Sequence, residues 1–167
     1  MNLEIKKYID NYLEYIDKFD MLLNISKQFE TDEPISELIR KGIMEFLLYL
    51  SASDGVLSQK EADTIFKYLG YRHTPDEMNR YIEEHNLYSE DFEETVPDFL
   101  QMLSAVDRAV VKEGMNDPEL SRRCVEMFSA IGNKFIRSDL LENEDERRDY
   151  EIYMETLEGY LRGRVTV

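Results

Sequence analysis

The chain of 167 residues carries 20 basic and 36 acidic residues, which gives a formal net charge of −16 at pH 7. So acidic a surface repels phosphate, which argues against nucleic acid and anionic membranes as partners and favours cations or basic proteins. An apolar fraction of 43% in a chain of this length is enough for one globular domain with its own core. The single cysteine, Cys124, allows no intrachain disulfide and is typical of a reducing, cytoplasmic compartment.

Apolar residues recur at spacings of three and four along almost the whole chain, the pattern of amphipathic helices. No stretch shows the alternation with period two that is typical of a strand. Caps, prolines and glycines divide the pattern into separate helices. In chain order, the predicted helices cover residues 3–29, 34–50, 58–70, 74–84, 88–113, 116–135 and 143–161. The sequence therefore predicts an all-α fold, a compact bundle of about seven helices.

The connection SASDGVLSQKE (51–61) between the second and third predicted helices has the features of a capped turn. Gly55 suits the left-handed backbone conformation that often follows a helix. Ser58 and Glu61 have the S-x-x-E spacing of a capping box, in which the serine hydroxyl and the glutamate carboxylate each accept from the other's backbone amide. These residues are therefore explained without any ligand.

The same connection also resembles part of a calcium-binding loop. With Gly55 at the sixth position of an EF-hand loop, Asp54 falls at a ligand position and Glu61 at the closing position. Leu50 and Ala52, however, stand where the first two carboxylate ligands belong. The segment is thus either a weak site for a divalent cation such as Ca²⁺ or only a well-capped turn.

A second copy of the motif follows at an offset of 85 residues. SDGVLSQKE ends at Glu61 and SDLLENEDE ends at Glu146, and Asp54 matches Asp139. This match predicts a pseudo-twofold repeat of helix–acidic turn–helix units. The candidate metal ligands are therefore Asp54, Glu61, Asp139 and Glu146. Further carboxylates come from the stretch with Asp91, Glu93 and Glu94, which is otherwise an acidic helix start.

The segment FLLYLSASDGVLSQKEADTIFKYLG (46–70) resembles the signature of the TerB-like family. That family is named for a bacterial tellurite-resistance protein and shared with the membrane-proximal domain of a DnaJ-type co-chaperone. Residues 128–161 are similar to its second, degenerate copy. The resemblance implies about seven helices, a cytoplasmic bacterial protein and a role in stress response, with divalent cations and membrane-associated complexes as partners. Leu140 stands where the first copy has Gly55, so the second turn is expected to differ in shape.

The resemblance suggests two parts of the chain, an N-terminal amphipathic helix over 1–30 packed on a TerB-like domain over 31–167. The most apolar stretch, IMEFLLYL (43–50), is too short to span a bilayer, so no direct membrane insertion is expected. Three residues before His73 and His85 stand Gly and Ile and not the glutamate of a di-iron motif, and no zinc motif is present, so both histidines are interpreted as surface residues. Because no other catalytic motif is present, no enzymatic activity is predicted. A metal-dependent hydrolase would need ligands that this sequence does not assemble.

Two hypotheses for function follow. The first is a non-enzymatic TerB-like domain in a stress-response or envelope-associated complex, with weak divalent cation binding around Asp54 and Glu61. The second is a protein–protein interaction scaffold with no cation role. Its acidic faces would bind a basic partner, or the apolar stripe of residues 3–23 would pair with a second copy as a homodimer.

Overall fold

The computed structural model describes residues 2–53, 55–138 and 143–163, and all regular secondary structure in these ranges is helical. The helices are α1 (Asn2–Leu23), α2 (Ile25–Gln28), α3 (Ile35–Ala52), α4 (Gln59–Leu69), α5 (Pro75–Glu84), α6 (Glu90–Glu94), α7 (Asp98–Lys112), α8 (Leu120–Arg137) and α9 (Glu144–Leu161). Seven of them have ten residues or more. The predicted all-α bundle of about seven helices is confirmed.

Helix α3 lies at the centre of the bundle and contacts α1, α4, α5, α7, α8 and α9. Twelve of its 18 residues are buried, because neighbouring helices cover it on several sides. The ring of Phe46 stacks on Tyr153 of α9 at 4.5 Å and on Phe128 of α8 at 5.6 Å, measured between ring centroids. The apolar run of α3 is therefore the core helix of a globular bundle.

Two predicted helices are each divided in the structure. The helix expected over 3–29 is interrupted at Asn24, whose φ of 51° is left-handed, a conformation that asparagine tolerates better than most residues. The long helix expected from 88 becomes α6 and α7. Pro97 separates them because a residue before proline, here Val96, is driven from helical to extended backbone.

The predicted repeat is visible in the helix bounds. α3 and α8 each have 18 residues, and α8 begins and ends 85 residues after α3. α4 and α9 also begin 85 residues apart, after the capping residues Ser58 and Asn143. The two helix–turn–helix units therefore match in length and register up to the start of their second helices.

The repeat extends to the way α3 and α8 begin, which sequence reasoning missed. Each helix starts against a buried aspartate from an earlier long helix. The amide of Ile35 donates to Asp20 of α1 at 3.3 Å, and the amide of Leu120 donates to Asp107 of α7 at 2.8 Å. Asp107 also accepts from the hydroxyl of Ser121 at 2.7 Å. These carboxylates satisfy helix N-terminal amides that would otherwise lack partners.

Helix α1 packs against α3, α4, α7 and α8. Its apolar stripe, represented by Ile9, Leu13 and Ile16, is buried in the same core as the rest of the chain. The chain itself covers these three residues, whereas Tyr8 of the same stripe is exposed, so the pairing of the stripe of residues 3–23 with a second copy stays a prediction. Within the described ranges, no helix combines the length and apolar character needed to cross a bilayer.

Candidate functional site

The first acidic turn is built as a capped connection between α3 and α4. The amide of Glu61 donates to the Ser58 hydroxyl at 3.2 Å, and the Ser58 amide donates to Oε1 of Glu61 at 3.0 Å, so the predicted capping box is confirmed. Gly55 has the left-handed backbone expected of it, with φ of 102°. Asp54 lies outside the described residues.

Neighbouring helices hold this turn in place. The amide of Leu57 donates to Oδ1 of Asn79 on α5 at 3.0 Å, and Leu57 is itself buried. The hydroxyl of Ser53 donates to the carboxylate of Asp149 on α9. The turn is therefore a structural junction among α3, α4, α5 and α9.

Asp149 is a residue of this junction that sequence reasoning missed. Its side chain is buried and also accepts a hydrogen bond from the Tyr88 hydroxyl at 2.9 Å. Burial, followed by the hydrogen bond to this carboxylate, raises the pKa of Tyr88 above its ordinary value. The sequence feature that could have revealed Asp149 is its position in α9, where it directly precedes Tyr150 on the side of the helix that faces the core.

The helix cap after the second turn differs from that after the first, because Asn143 accepts from the amide two residues on and Ser58 from the amide three residues on. Oδ1 of Asn143 accepts from the amide of Asp145 at 2.7 Å, which confirms Asn143 as the cap of α9. Glu146 is buried with 2% of its surface exposed. Asp139 and Leu140, which were expected to shape this turn, lie outside the described residues.

Only half of the predicted metal set can therefore be placed. Glu61 and Glu146 are both buried, near the start of α4 and of α9. Among the residues that the structure describes, no three His, Cys, Asp or Glu side chains come close enough together to hold a metal ion. Glu61 serves Ser58 as a capping partner, so the cation hypothesis depends on Asp54 and Asp139.

The acidic stretch of α6 divides into two kinds of residue. The Glu93 carboxylate accepts from the Tyr49 hydroxyl of α3, and its carbonyl accepts from the Thr156 hydroxyl of α9 at 2.6 Å. Burial, followed by the bond to Glu93, raises the pKa of Tyr49. Asp91 and Glu94 are exposed. Glu93 thus attaches α6 to the core, while its acidic neighbours face solvent.

A cleft of about 350 Å³ opens between α3 and the α6–α7 segment. Its walls are mainly aromatic and apolar, contributed by Phe29, Leu38, Phe92, Phe99, Met102 and Tyr153. Lys41 and Asp98 are exposed lining residues of opposite charge, and Glu45 is half-buried. This size and lining are typical of binding pockets in proteins.

A glycine shapes one wall of this cleft. A Cβ atom placed on Gly42 of α3 would lie 2.4 Å from the ring of Phe99 on α7. That distance is well inside van der Waals contact, so any larger residue would displace the ring. Gly42 therefore lets Phe99 pack directly on the backbone of α3.

Two polar groups lie among these apolar walls. Tyr153 is 2% exposed, and its hydroxyl makes no hydrogen bond to any residue in the described ranges. Burial, with smaller contributions from Cys124 and then Glu45, raises the pKa of Tyr153. Glu45 accepts from the Tyr81 hydroxyl at 3.1 Å and makes no ion pair within the described part of the chain. Sequence reasoning missed both residues as a site, since helical periodicity explained each of them.

The repeat places a second cleft at the corresponding position between α4 and α8. Tyr68 and Ala130 line it, and they match Tyr153 and Glu45 at the offset of 85 residues. This cleft, of about 690 Å³, is basic, with side chains from Lys60, Lys67, Lys134 and Arg137. The two related positions therefore carry opposite charge.

The cysteine and the histidines lie where the sequence predicted. Cys124 is buried, and burial raises the pKa of its thiol to about 12, so little thiolate forms near neutral pH. His73 is exposed and lies 3.7 Å from a carboxylate oxygen of Glu77. His85 is exposed and stacks on Tyr81 at 3.8 Å between ring centroids.

Comparisons of the chain with models of protein families, with curated proteins and with solved structures gave no match. The TerB-like assignment thus stays a prediction from residues 46–70 and 128–161.

Proposed function

We propose that this protein is a non-enzymatic interaction domain that binds a basic, amphipathic segment of a partner protein in the cleft between α3 and α7. The observation that carries the proposal is an aromatic cleft whose lining residues belong to acidic segments of the chain. The cleft supplies apolar contact, and the surrounding carboxylates supply charge of one sign.

Two stretches that line the cleft carry these carboxylates. Phe29 and Thr31 belong to residues 29–33, and Phe92, Thr95 and Asp98 belong to residues 90–98. The exposed acidic residues of the two stretches are Glu30, Asp32, Glu33, Glu90, Asp91, Glu94 and Asp98.

Charge and shape favour the same class of partner. A segment with apolar residues on one side and lysine or arginine on the other can place its apolar side chains among Phe92, Phe99 and Met102. Its basic side chains then face the exposed carboxylates. The net charge of −16 accelerates the approach of such a segment and makes binding sensitive to salt.

The proposal also fits the role that the TerB-like resemblance implies. A stress-response or envelope-associated complex needs domains that hold other proteins, and such a domain requires no catalytic residues.

A model peptide with lysine and leucine at helical spacings tests the proposal, with a glutamate–leucine peptide as its charge-reversed control. We expect saturable calorimetric binding of the first peptide only, weakened by salt. Leu38→Ala in the cleft should weaken binding about fivefold because apolar contact is lost. Leu161→Ala, another half-buried leucine remote from the cleft, should leave binding unchanged.

A charge-matched pair of variants separates the cleft from general attraction. Asp98→Asn removes a cleft carboxylate from the first turn of α7, and Asp76→Asn removes an exposed carboxylate from the first turn of α5. Both change the net charge and the helix-dipole interaction alike. Equal weakening by both variants, together with an inert Leu38→Ala, would show that the peptide binds only to the overall charge.

A second candidate function is divalent cation binding at the acidic turns. The observation that favours it is that Glu61 and Glu146, matched by the repeat, are both buried beside a turn that contains a further aspartate. Cation binding and peptide binding involve different parts of the molecule and are compatible with each other.

A further inference from the structure

Helix α1 turns one side to the core and exposes the other. Residues on its inner side, such as Ile9 and Leu13, are buried. The outer side carries exposed residues at spacings of three and four, which place them on one face of the helix. This outward face of α1 consists of Glu4, Lys7, Tyr8, Asn11, Glu14, Tyr15 and Lys18.

Two tyrosines give the outward face of α1 its apolar surface. Tyr8 and Tyr15 are each 41% exposed and lie two helical turns apart. Together with Asn11 they line a groove of about 490 Å³ between α1 and α8. The ring of Tyr15 packs edge-on against Phe19 at a centroid distance of 5.1 Å, which restricts its position. Exposed aromatic rings of this kind are enriched in protein–protein contacts.

The charges on the outward face of α1 add to zero, although the chain has a net charge of −16. Glu4 and Glu14 are negative, and Lys7 and Lys18 are positive. In the part of the chain that the structure describes, none of these four side chains forms an ion pair. A second copy of the chain is therefore not repelled by this face, and the four charges can pair with it.

The order of these charges fits a second copy that runs in the opposite direction. Glu4 and Lys18 lie seven residues on either side of Asn11, and Lys7 and Glu14 lie four and three residues from it. In an antiparallel pair with Asn11 at the twofold axis, Glu4 therefore lies opposite Lys18 of the second copy, and Lys7 opposite Glu14. The symmetry forms each of these contacts twice. A parallel pair would instead place like charges at the same level.

The same arrangement brings the aromatic rings together. Tyr8 and Tyr15 lie three and four residues from Asn11, both on the side of α1 that borders α8. A twofold axis that crosses the two helices keeps this side of each copy against the same side of the other. Tyr8 thus lies opposite Tyr15 of the second copy. The amide groups of the two Asn11 side chains meet at the axis, where each can donate to the other.

We propose that this protein forms an antiparallel homodimer through the outward face of α1, with Asn11 at the twofold axis. One helix face is smaller than the roughly 800 Å² per partner that a stable complex buries, so the association is weak and depends on concentration. The dimer contact lies on other helices than the cleft between α3 and α7, so this inference is independent of the proposed function.

A cysteine at the axis tests the register of the pair. The native Cys124 is buried and does not compete. Asn11→Cys should form a disulfide-linked dimer on mild oxidation, because the two thiols face each other across the axis. Lys18→Cys should link at least about tenfold more slowly, because it lies about 21 Å from its equivalent in the antiparallel pair. Equal rates of linking, as in a parallel pair or in random collisions, would overturn the inference.

Charge reversal tests the ion pairs, with sedimentation velocity as the measure of dimerisation. Glu14→Lys places lysine opposite Lys7 of the second copy and should weaken association about tenfold. The variant also makes the chain less acidic, which by itself would favour association. Glu151→Lys, at an exposed position of α9, changes the net charge equally and should not weaken the dimer.

The double variant Lys7→Glu, Glu14→Lys exchanges the two signs and should associate as the parent does. Residues 7 and 14 lie two turns apart on one helix, so this recovery requires contact between two copies. A double variant as weak as Glu14→Lys, or a parent chain that stays monomeric up to millimolar concentration, would overturn the inference. All the substituted positions are exposed, and circular dichroism verifies that each variant is folded.

Discussion

The Ser53 hydroxyl at the end of α3 donates a 2.5 Å hydrogen bond to the carboxylate of Asp149 on α9, 96 residues further along the chain. The contact joins the turn of the first repeat to the second helix of the other repeat. Tyr88, in the connection between α5 and α6, donates to the same carboxylate. One buried aspartate thus joins three separate parts of the chain, namely α9, the α5–α6 connection and the first acidic turn.

Asp149→Ala should lower the free energy of unfolding by about 3 kcal/mol, because it removes a charged acceptor and leaves the hydroxyls of Ser53 and Tyr88 without it. Urea unfolding followed by circular dichroism measures the loss. Glu151→Ala, at an exposed position of the same helix, should change the free energy by less than about 0.5 kcal/mol. A similar loss in both variants would contradict the role assigned to Asp149.

The two capping boxes should differ in strength. Ser58→Ala should cost about 2 kcal/mol of unfolding free energy, and Thr74→Ala about 1 kcal/mol. The reason is that Ser58 bonds the buried Glu61, whereas Thr74 bonds the exposed Glu77. Urea unfolding of the two variants beside the parent checks the order, and a larger loss for Thr74→Ala would show that burial does not strengthen the first cap.

Cys124 should be chemically inert in the folded protein. Burial raises the pKa of its thiol from 9.0 to about 12, so the folded thiol should react with Ellman's reagent at pH 8 at least about a hundredfold more slowly than the thiol in urea. Equal rates in the two conditions would contradict a buried thiol.

The same shift in the pKa of Cys124 predicts a loss of stability in alkali. The unfolded thiol ionises from about pH 9, while the folded thiol keeps its proton up to about pH 12. The folded state therefore binds more protons in this interval, and the free energy of unfolding falls as the pH rises. In urea titrations between these pH values, the free energy of unfolding of Cys124→Val should fall less steeply with pH than that of the parent. An equally steep fall in both proteins would show that other groups cause it.

If the first turn binds a cation, the thermal unfolding midpoint of chelator-treated protein should rise when the matching cation is added back. Ca²⁺, Mg²⁺, Mn²⁺ and Zn²⁺ are added singly. A cation at about 100 times its dissociation constant stabilises by roughly 2.7 kcal/mol. Asp54→Asn should abolish the shift, and Asp63→Asn, at an exposed position of α4, should retain it. No shift with any of the cations would leave the turn as a capped connection only.

Much of the fold could be predicted because its signals are local. Apolar spacing marks a helix within a few turns, and the capping box of Ser58 and Glu61 depends on residues three apart. The 85-residue repeat could also be predicted, because the two acidic turns share residues at matching positions of the sequence. The break at Asn24 was missed because asparagine only permits a left-handed residue and does not require one.

The sequence by itself thus determined the helices, their caps, the repeat and the acidic surface. Only the tertiary structure decided that Asp149 and Asp107 are buried acceptors, because their donors do not lie on the same helix as the aspartate. It also decided that Glu45 and Tyr153 line one cleft. Each sits in an ordinary helical pattern, and their proximity arises from the packing of α3 against α9, which no local spacing of residues specifies.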